Sequence, residues 1–325
     1  MKIQVVGGGS WGLALARLLA KNGHAVRLWC REEDDPQHLR ETRQSRYFLP
    51  GVAMPDSIDV SPEADIHADM AVLAVPSHAM RGAISRFRFP KETILVNVAK
   101  GIENETLLCM HEVIRTVYGP CTVATLSGPS HAEEVAKDLP ATLVAASEDH
   151  AVAEMVQQTF MADTFRVYTS DDITGVELGG SIKNVIAVAA GVCDAFGLGD
   201  NAKAALITRG LAEMARLGAA MGAHPLTFSG LSGMGDLIVT CESRHSRNRA
   251  FGERIARGER IEEFEKSTHM VAEGVRTAKS AHALAVRHNV PMPITEQVYQ
   301  VIYENADPRE AVAALMQRDA KPERQ

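Results

Sequence analysis

Lys183 stands in the run Glu177-Leu178-Gly179-Gly180-Ser181-Ile182-Lys183-Asn184-Val185, an amine among small and apolar neighbours where a solvated helix face would carry several charges. A lysine so placed could give and take a proton. Burial and a second cation push its pKa down from about 10.4, while a carboxylate or phosphate pushes it up. The alternative is a core-edge lysine whose stem is covered and whose ammonium reaches water. A carboxylate is available in Gly230-Leu231-Ser232-Gly233-Met234-Gly235-Asp236, where Asp236 follows a flexible turn. It could orient a protonated lysine, or it could simply cap a helix. Arg244-His245-Ser246-Arg247-Asn248-Arg249 concentrates cations and amide donors in a short loop. Arg247 and Asn248 could hold a phosphate, the arginine through its planar fork, although such runs are more commonly solvated helix starts.

A second constellation opens the chain. Gly7, Gly9 and Gly12 have the spacing of the dinucleotide fingerprint, with one glycine for a tight turn, one for close approach of a pyrophosphate and one for helix-strand packing. Residues 1–6 read as a β-branched strand, and Leu13, Leu15, Ala16, Leu18 and Leu19 give a helix pattern running to Gly23. Residues 25–29 read as the next strand, so the glycines lie in a βαβ unit and the helix N-terminus faces the phosphates. Trp11 in the turn could pack or lie over the cofactor. The second strand ends Trp29-Cys30-Arg31, with Glu32 and Glu33 only after it. An arginine at that point accepts the 2′-phosphate of NADP, so NADPH is expected to be accepted through Arg31, against the plainer alternative of a solvated Arg-Glu-Glu loop.

Three polar punctuations follow apolar runs, where the carboxyl ends of parallel strands bind ligands in open α/β sheets. They are Val75-Pro76-Ser77-His78, Ala99-Lys100-Gly101 and the segment from Ser127 through Gly128, Pro129, Ser130, His131 and Ala132 to Glu134. Lys100 is expected beside the nicotinamide, unless it is an ordinary strand-end lysine in water. Gly128-Pro129-Ser130 offers backbone amides and a hydroxyl to an oxygen-rich substrate, though many such segments merely cap helices.

The elements that must position these groups divide the chain in two. With 325 residues, 46% hydrophobic, the chain can bury two cores. Further buried-type strands are read at 70–75, 94–98, 123–126, 143–146 and 165–168, as expected of a parallel sheet covered on both faces. Beyond Asp171 the strand signal fades into helical patterns, including 201–221, 277–288 and 296–303. The expected architecture is α/β, an N-terminal Rossmann-type doubly wound sheet over residues 1–174 followed by an all-helical domain over 175–325, with a loose polar tail at 317–325. A net charge of −7 disfavours a general nucleic-acid footprint and leaves a small anion as the expected partner. Five scattered cysteines without a Cys-x-x-Cys pair suggest neither a disulfide framework nor a thiolate metal site, which fits a reducing cytoplasm. No export signal is read and no apolar run is expected to approach transmembrane length. The Ala- and Gly-rich helices could bury against one another within a chain or between chains, and the general preference for closed pairs makes a homodimer the expectation.

Taken together, Gly7 to Gly12 with Ser10-Trp11, Val75-Pro76-Ser77, Lys100-Gly101, Ser127-Gly128-Pro129-Ser130, Glu177 to Gly180 through Lys183-Asn184-Val185, the run from Gly199 to Gly210, Gly235-Asp236-Leu237 and Ser246-Arg247-Asn248 resemble the bacterial NAD(P)-dependent sn-glycerol-3-phosphate dehydrogenases. The resemblance covers nearly the whole chain. The run from Gly199 to Gly210, with Lys183-Asn184 upstream and Ser246-Arg247-Asn248 downstream, looks specific to that family, whereas the N-terminal glycines are shared by many dehydrogenases. It implies reversible reduction of dihydroxyacetone phosphate with NAD(P)H, supplying sn-glycerol 3-phosphate for glycerophospholipid synthesis. By the same likeness Lys183 is the proton donor and acceptor, and Lys100 binds both substrate and cofactor. Gly128, Ser130, Asp236, Ser246, Arg247 and Asn248 join Lys100 and Lys183 at the substrate. Ser10, Trp11, Arg31, Phe48, Ala132, Arg247, Val271 and Glu273 match cofactor-contacting positions. Ser181-Ile182, Ser232 and Met234 depart from the family pattern without removing a functional group, and His131 is read as structural. Dehydrogenases of β-hydroxy acids or 6-phosphogluconate carry a Lys-x-x-x-Asn site; here Asn184 directly follows the lysine and the fourth position holds Ala187. A module that senses NAD(P) without turnover would not need Lys183, Lys100, Asp236 and Arg247 together.

Overall fold

The computed structural model describes residues 1–64, 67–261, 263–264, 272–320 and 322–323. The apolar runs of the first half form one eight-stranded sheet of β1 (Lys2–Val6), β2 (Ala25–Trp29), β3 (Asp59–Ser61), β4 (Met70–Leu73), β5 (Ile94–Asn97), β6 (Val123–Ser127), β7 (Ala141–Ala146) and β8 (Phe165–Ser170), in the order β3-β2-β1-β4-β5-β6-β7-β8. The order reverses between β1 and β4, so the carboxyl edge there is a topological switch point. The sheet's central strands are buried on both faces, while at its edge β8 leaves Arg166 and Tyr168 exposed. Val5 and Val72 pack into one apolar cluster with Leu13, Leu15 and Phe160, while their neighbours Val6 and Leu73 pack into another with Met110 and Ile114. Double burial explains why these strands read as apolar runs rather than as alternation. The interleaved helices are α1 (Ser10–Lys21), α2 (Pro36–Thr42), α3 (Met80–Ile84), α4 (Met110–Tyr118), α5 (Ala132–Val135) and α6 (His150–Phe160).

Four features of the sheet differ from the sequence expectation, the first being that the run at 165–168 is an edge strand with one exposed face rather than a buried-type strand. β7 runs antiparallel to β6, and β8 is parallel to β7. Polarity of a buried strand leaves no mark on its composition, because both faces are covered either way. β3 is a three-residue edge strand in which only Val60 is buried, too short to give a period. The run at 70–75 leaves the ladder after Leu73, and its next two residues pass over the turn at Gly7. The reversal has a consequence for the site. Asn97 pairs with Thr125, Thr125 with Ala146 and Ala146 with Ser170, so one row across the sheet delivers the chain to the start of the second half beside the end of β5.

That half is built around α7 (Ile173–Phe196), which packs against α8 (Asp200–Ala220), α9 (Asp236–Glu242), α10 (Arg247–Ile255) and the helix Glu273–Arg287. Helices Pro293–Tyr303 and Pro308–Met316 complete it, the last one unread in the sequence. Asp172 caps α7 by accepting from Gly175 N at 2.8 Å, and Gly197 ends it in the left-handed conformation. α7 and α10 cross closely, because a Cβ on Gly252 would collide with Val188 O and one on Gly191 with Arg249 O. The expectation about apolar length is corrected here. α7 has 24 residues and is apolar enough, by length and composition, to cross a membrane. Its apolarity serves burial on all sides within the protein, since 83% of its most apolar window is covered by the rest of the chain.

Candidate active site

A cleft of about 790 Å³ opens at the switch point between the carboxyl edge of the sheet and the helical half. The glycine turn, Trp11, Arg31, Phe48, Lys100, Ser130, His131 and Ala132 line one side. Lys183, Asn184, Thr240, His245, Ser246, Arg247, Asn248 and Glu273 line the other.

The glycine turn suits a pyrophosphate. Gly7 has φ +121°, a conformation that side chains rarely adopt, and a Cβ on it would strike Ala74 O. Gly12 lies so close beneath the turn that a Cβ would strike Gly7 O. Gly9, by contrast, has nothing within 4 Å of the corresponding point, so its backbone faces open cleft. No side chain caps α1, and no acid occupies its first turn. Its free amides and dipole are therefore available to an anion.

Asp236, at the start of α9, lies between the two lysines. Its Oδ1 accepts from Lys183 Nζ at 2.7 Å and its Oδ2 from Lys100 Nζ at 2.6 Å. Lys183 Nζ also donates to Thr240 Oγ1 at 2.5 Å, and Lys100 Nζ donates to Gly128 O at 2.9 Å. Asp236 and Lys183 are buried, while the Lys100 side chain is 20% exposed. Burial pushes the Lys183 amine down to about 8; Asp236 opposes that shift and the Lys100 ammonium adds to it. The result is an amine whose two protonation states are both accessible near neutral pH, aimed at a cleft.

A second buried carboxylate fixes the frame. Glu177, on α7, accepts from Asn97 Nδ2 at 2.7 Å, Thr125 Oγ1 at 2.5 Å and the His111 backbone amide, and pairs with His111 Nδ1 at 2.8 Å. Burial opposes both charges, yet the mutual hydrogen bond wins, holding His111 above and Glu177 below their ordinary values. Strands β5 and β6, helix α4 and helix α7 thus meet at one group.

The remaining residues singled out in the sequence are distributed as follows. Asn248 Nδ2 donates to Asn184 Oδ1 at 2.9 Å and its Oδ1 accepts from Gly274 N at 2.8 Å, so its amide is engaged on both sides. Ser246 caps α10 by accepting from Arg249 N, and Arg247, at the first helical position, is exposed to the cleft. Ser130 Oγ donates to Gly128 O at 2.9 Å. Glu273 accepts from Ser77 N and Ser77 Oγ, tying the helical half to the loop after β4; burial raises its pKa, against those hydrogen bonds and the charges of Arg247 and Arg276. Arg31 pairs with Asp34 at 2.9 Å and is otherwise exposed. Gly12, Gly128 and Asp236 stand behind the wall rather than in it, and Val271 lies outside the described residues. Sequence reasoning missed Thr240, although its place one turn after Asp236 was a usable signal. It also gave no role to Glu177, Asn97 or His111, whose meeting depends on strand register.

Comparison with known proteins gives a consistent family. Residues 2–153 match the family model of the NAD-dependent glycerol-3-phosphate dehydrogenase N-terminus, and residues 172–313 that of its C-terminus. The chain is similar to a protein named glycerol-3-phosphate dehydrogenase of NAD(P)+ type from Pelotomaculum thermopropionicum, 49% identical with 98% of this chain and 93% of the relative covered. A protein of the same name from Moorella thermoacetica is 51% identical, over 97% and 96% of the two chains. The crystal structure of glycerol-3-phosphate dehydrogenase from Coxiella burnetii superimposes with a TM-score of 0.93 at 37% identity, covering 98% of this chain and 99% of that one.

Proposed function

The chain belongs to the NAD-dependent glycerol-3-phosphate dehydrogenase family and is an NAD(P)-dependent oxidoreductase interconverting dihydroxyacetone phosphate and sn-glycerol 3-phosphate; we propose that Lys183 supplies and recovers the proton of that reaction. The observation that carries the assignment is the Lys183–Asp236–Lys100 bridge, which joins a lysine from each side of the cleft that the glycine turn also lines.

NAD(P)H, held by the glycine turn and its neighbours, would supply a hydride to the ketone carbon. As it arrives, negative charge grows on the C2 oxygen, and the Lys183 ammonium gives that oxygen a proton, leaving a neutral amine; the reverse reaction returns the proton to the amine. Lys100 places a second positive charge beside the developing charge, and Asp236 holds both ammonium groups in fixed directions while offsetting part of their repulsion. Arg247 and Asn248 take the phosphate end, with the N-terminus of α10 behind them. The glycine turn, Ser10, Trp11, Arg31, Phe48, Ala132, Val271 and Glu273 take the cofactor. In this reading residues 1–174 form the cofactor domain and 175–325 the substrate domain. The product supplies glycerophospholipid synthesis in the cytoplasm, and the working form is a homodimer.

Steady-state turnover of dihydroxyacetone phosphate with NADPH and with NADH tests the reading. Cofactor binding without turnover would instead favour a sensing module, and turnover of a β-hydroxy acid would move the chain to the neighbouring dehydrogenase class.

A further inference from the structure

We propose that Arg86 is a specificity-determining residue whose guanidinium joins Arg31 in binding the 2′-phosphate of NADPH. The inference deepens the functional reading above and rests on its cofactor half. Arg86 lies two residues past the end of α3 and lines the same cleft as Trp29, Arg31 and Asp34. Its guanidinium carbon sits over the Trp29 ring, 5.9 Å from the centroid. Trp29 is the last residue of β2, two positions before Arg31. The guanidinium therefore stands beside the strand end where the adenosine ribose of a dinucleotide is read. The ring beneath it is fixed, because Trp29 is buried and Phe87 meets it edge-on with centroids 5.3 Å apart. A cation–π contact with an immobile ring gives an exposed arginine a defined place.

The charge at this strand end calls for a second cation. Arg31 is followed by Glu32, Glu33 and Asp34, one cation against three acids. Its fork is already engaged by Asp34, through Nη2 to Oδ1 at 2.9 Å and Nε to Oδ2 at 3.3 Å. A phosphate monoester carries about 1.5 to 2 negative charges near neutrality and would find no surplus positive charge there. Arg86 supplies it. Among the described residues its guanidinium makes no hydrogen bond and no ion pair, only the contact with Trp29, so its donors are available to phosphate oxygens. Gly82, four positions earlier, also lines the cleft, and a Cβ on it would meet nothing within 4 Å, so the space there is open. Adenine is uncharged and common to NADH and NADPH. The phosphate alone distinguishes them, and a guanidinium without an anionic partner is matched to it.

The test is calorimetric binding of two cofactor fragments, adenosine 2′,5′-bisphosphate and adenosine 5′-phosphate, to the full chain as wild type, Arg86→Gln and Arg86→Lys. The fragments share the nucleoside and differ in the 2′-phosphate. Wild type should bind the bisphosphate more tightly, by a margin that narrows as salt rises. Arg86→Gln should weaken the bisphosphate about tenfold and the monophosphate less than about twofold. Lysine, which restores the charge without the fork, should recover part of the loss. The ratio of kcat/KM with NADPH to that with NADH should fall about tenfold alongside the binding change in Arg86→Gln. Equal weakening of both fragments would make Arg86 a support for the base or for Trp29 and overturns the assignment, as does an unchanged bisphosphate affinity or a wild type indifferent to the 2′-phosphate. Failure of wild type to bind either fragment would sink the cofactor reading and this inference with it. A selective loss of the bisphosphate in a chain that does not turn over dihydroxyacetone phosphate would uphold this inference and sink the reaction alone.

Discussion

Asn97, the last residue of β5, donates a 2.7 Å hydrogen bond to the Glu177 carboxylate on α7. The same Asn97 side chain accepts from the amide of Ala99 at 2.9 Å, immediately before Lys100. One buried carboxylate thus sets both lysines of the site, Lys100 through the strand end and Lys183 through the helix. Substituting Glu177→Gln leaves the shape and removes the charge that His111, Thr125 and Asn97 share. Breaking such a pair costs on the order of 3 kcal/mol, and a small displacement of the lysines should lower kcat about tenfold or more. Urea unfolding and steady-state kinetics on one preparation would show both losses, with the KM for the cofactor nearly unchanged because the glycine turn lies elsewhere.

Replacing Lys183 with alanine should reduce kcat by roughly 10²- to 10⁴-fold and leave cofactor affinity near wild type, the signature of an interaction made in the transition state. Near-normal kcat at neutral pH would remove the proton-transfer role.

Arg247→Ala should act differently. It is expected to raise KM for the phosphorylated ketone and to lower kcat little, because a phosphate contact is made equally in ground and transition states.

The pH profile follows from the Lys183 amine at about 8. Ketone reduction needs the ammonium, so kcat/KM in that direction should be level below about 8 and fall as pH rises through it. Alcohol oxidation needs the neutral amine and should rise over the same interval. Because Asp236 holds the amine up, Asp236→Asn should move both inflections to lower pH as well as reduce the rate. Profiles that keep their inflection in Asp236→Asn would detach the observed titration from Lys183.

Cofactor choice should respond to the pairing of Arg31 with Asp34. Arg31→Ala is expected to raise KM for NADPH and spare NADH. Asp34→Ala, which frees the guanidinium, should tilt the ratio towards NADPH. An unchanged NADPH to NADH ratio in both variants would take Arg31 out of the discrimination.

Much of this was written in local pattern. The glycine spacing, the buried apolar strands and an unusual lysine in an apolar helix are features of contiguous residues, and each led to a group that lines the cleft or backs it. What escaped depends on pairs distant in the chain. The reversal of β7 leaves no compositional trace, because a strand covered on both faces looks the same in either direction. Glu177 looked like part of a motif until strand register brought Asn97, Thr125 and His111 around it, 80, 52 and 66 positions away in the chain. The apolar length of α7 was misjudged for a related reason, since its polar residues Glu177, Lys183 and Asn184 interrupt the pattern yet are all buried with partners.

The row of paired residues from Asn97 to Ser170 gives the chain a datum, and Glu177 is pinned to it. From there to Lys183 the interval behaves as a ruler. One residue inserted between them would turn the lysine about 100° around the helix axis and carry it about 1.5 Å along it, away from Asp236. Length changes in the loops outside that interval and off that row leave the measure intact. The stretch Glu177 to Lys183 is therefore where insertions and deletions should be least tolerated, while the surface connections of the same domain remain free to lengthen or shorten.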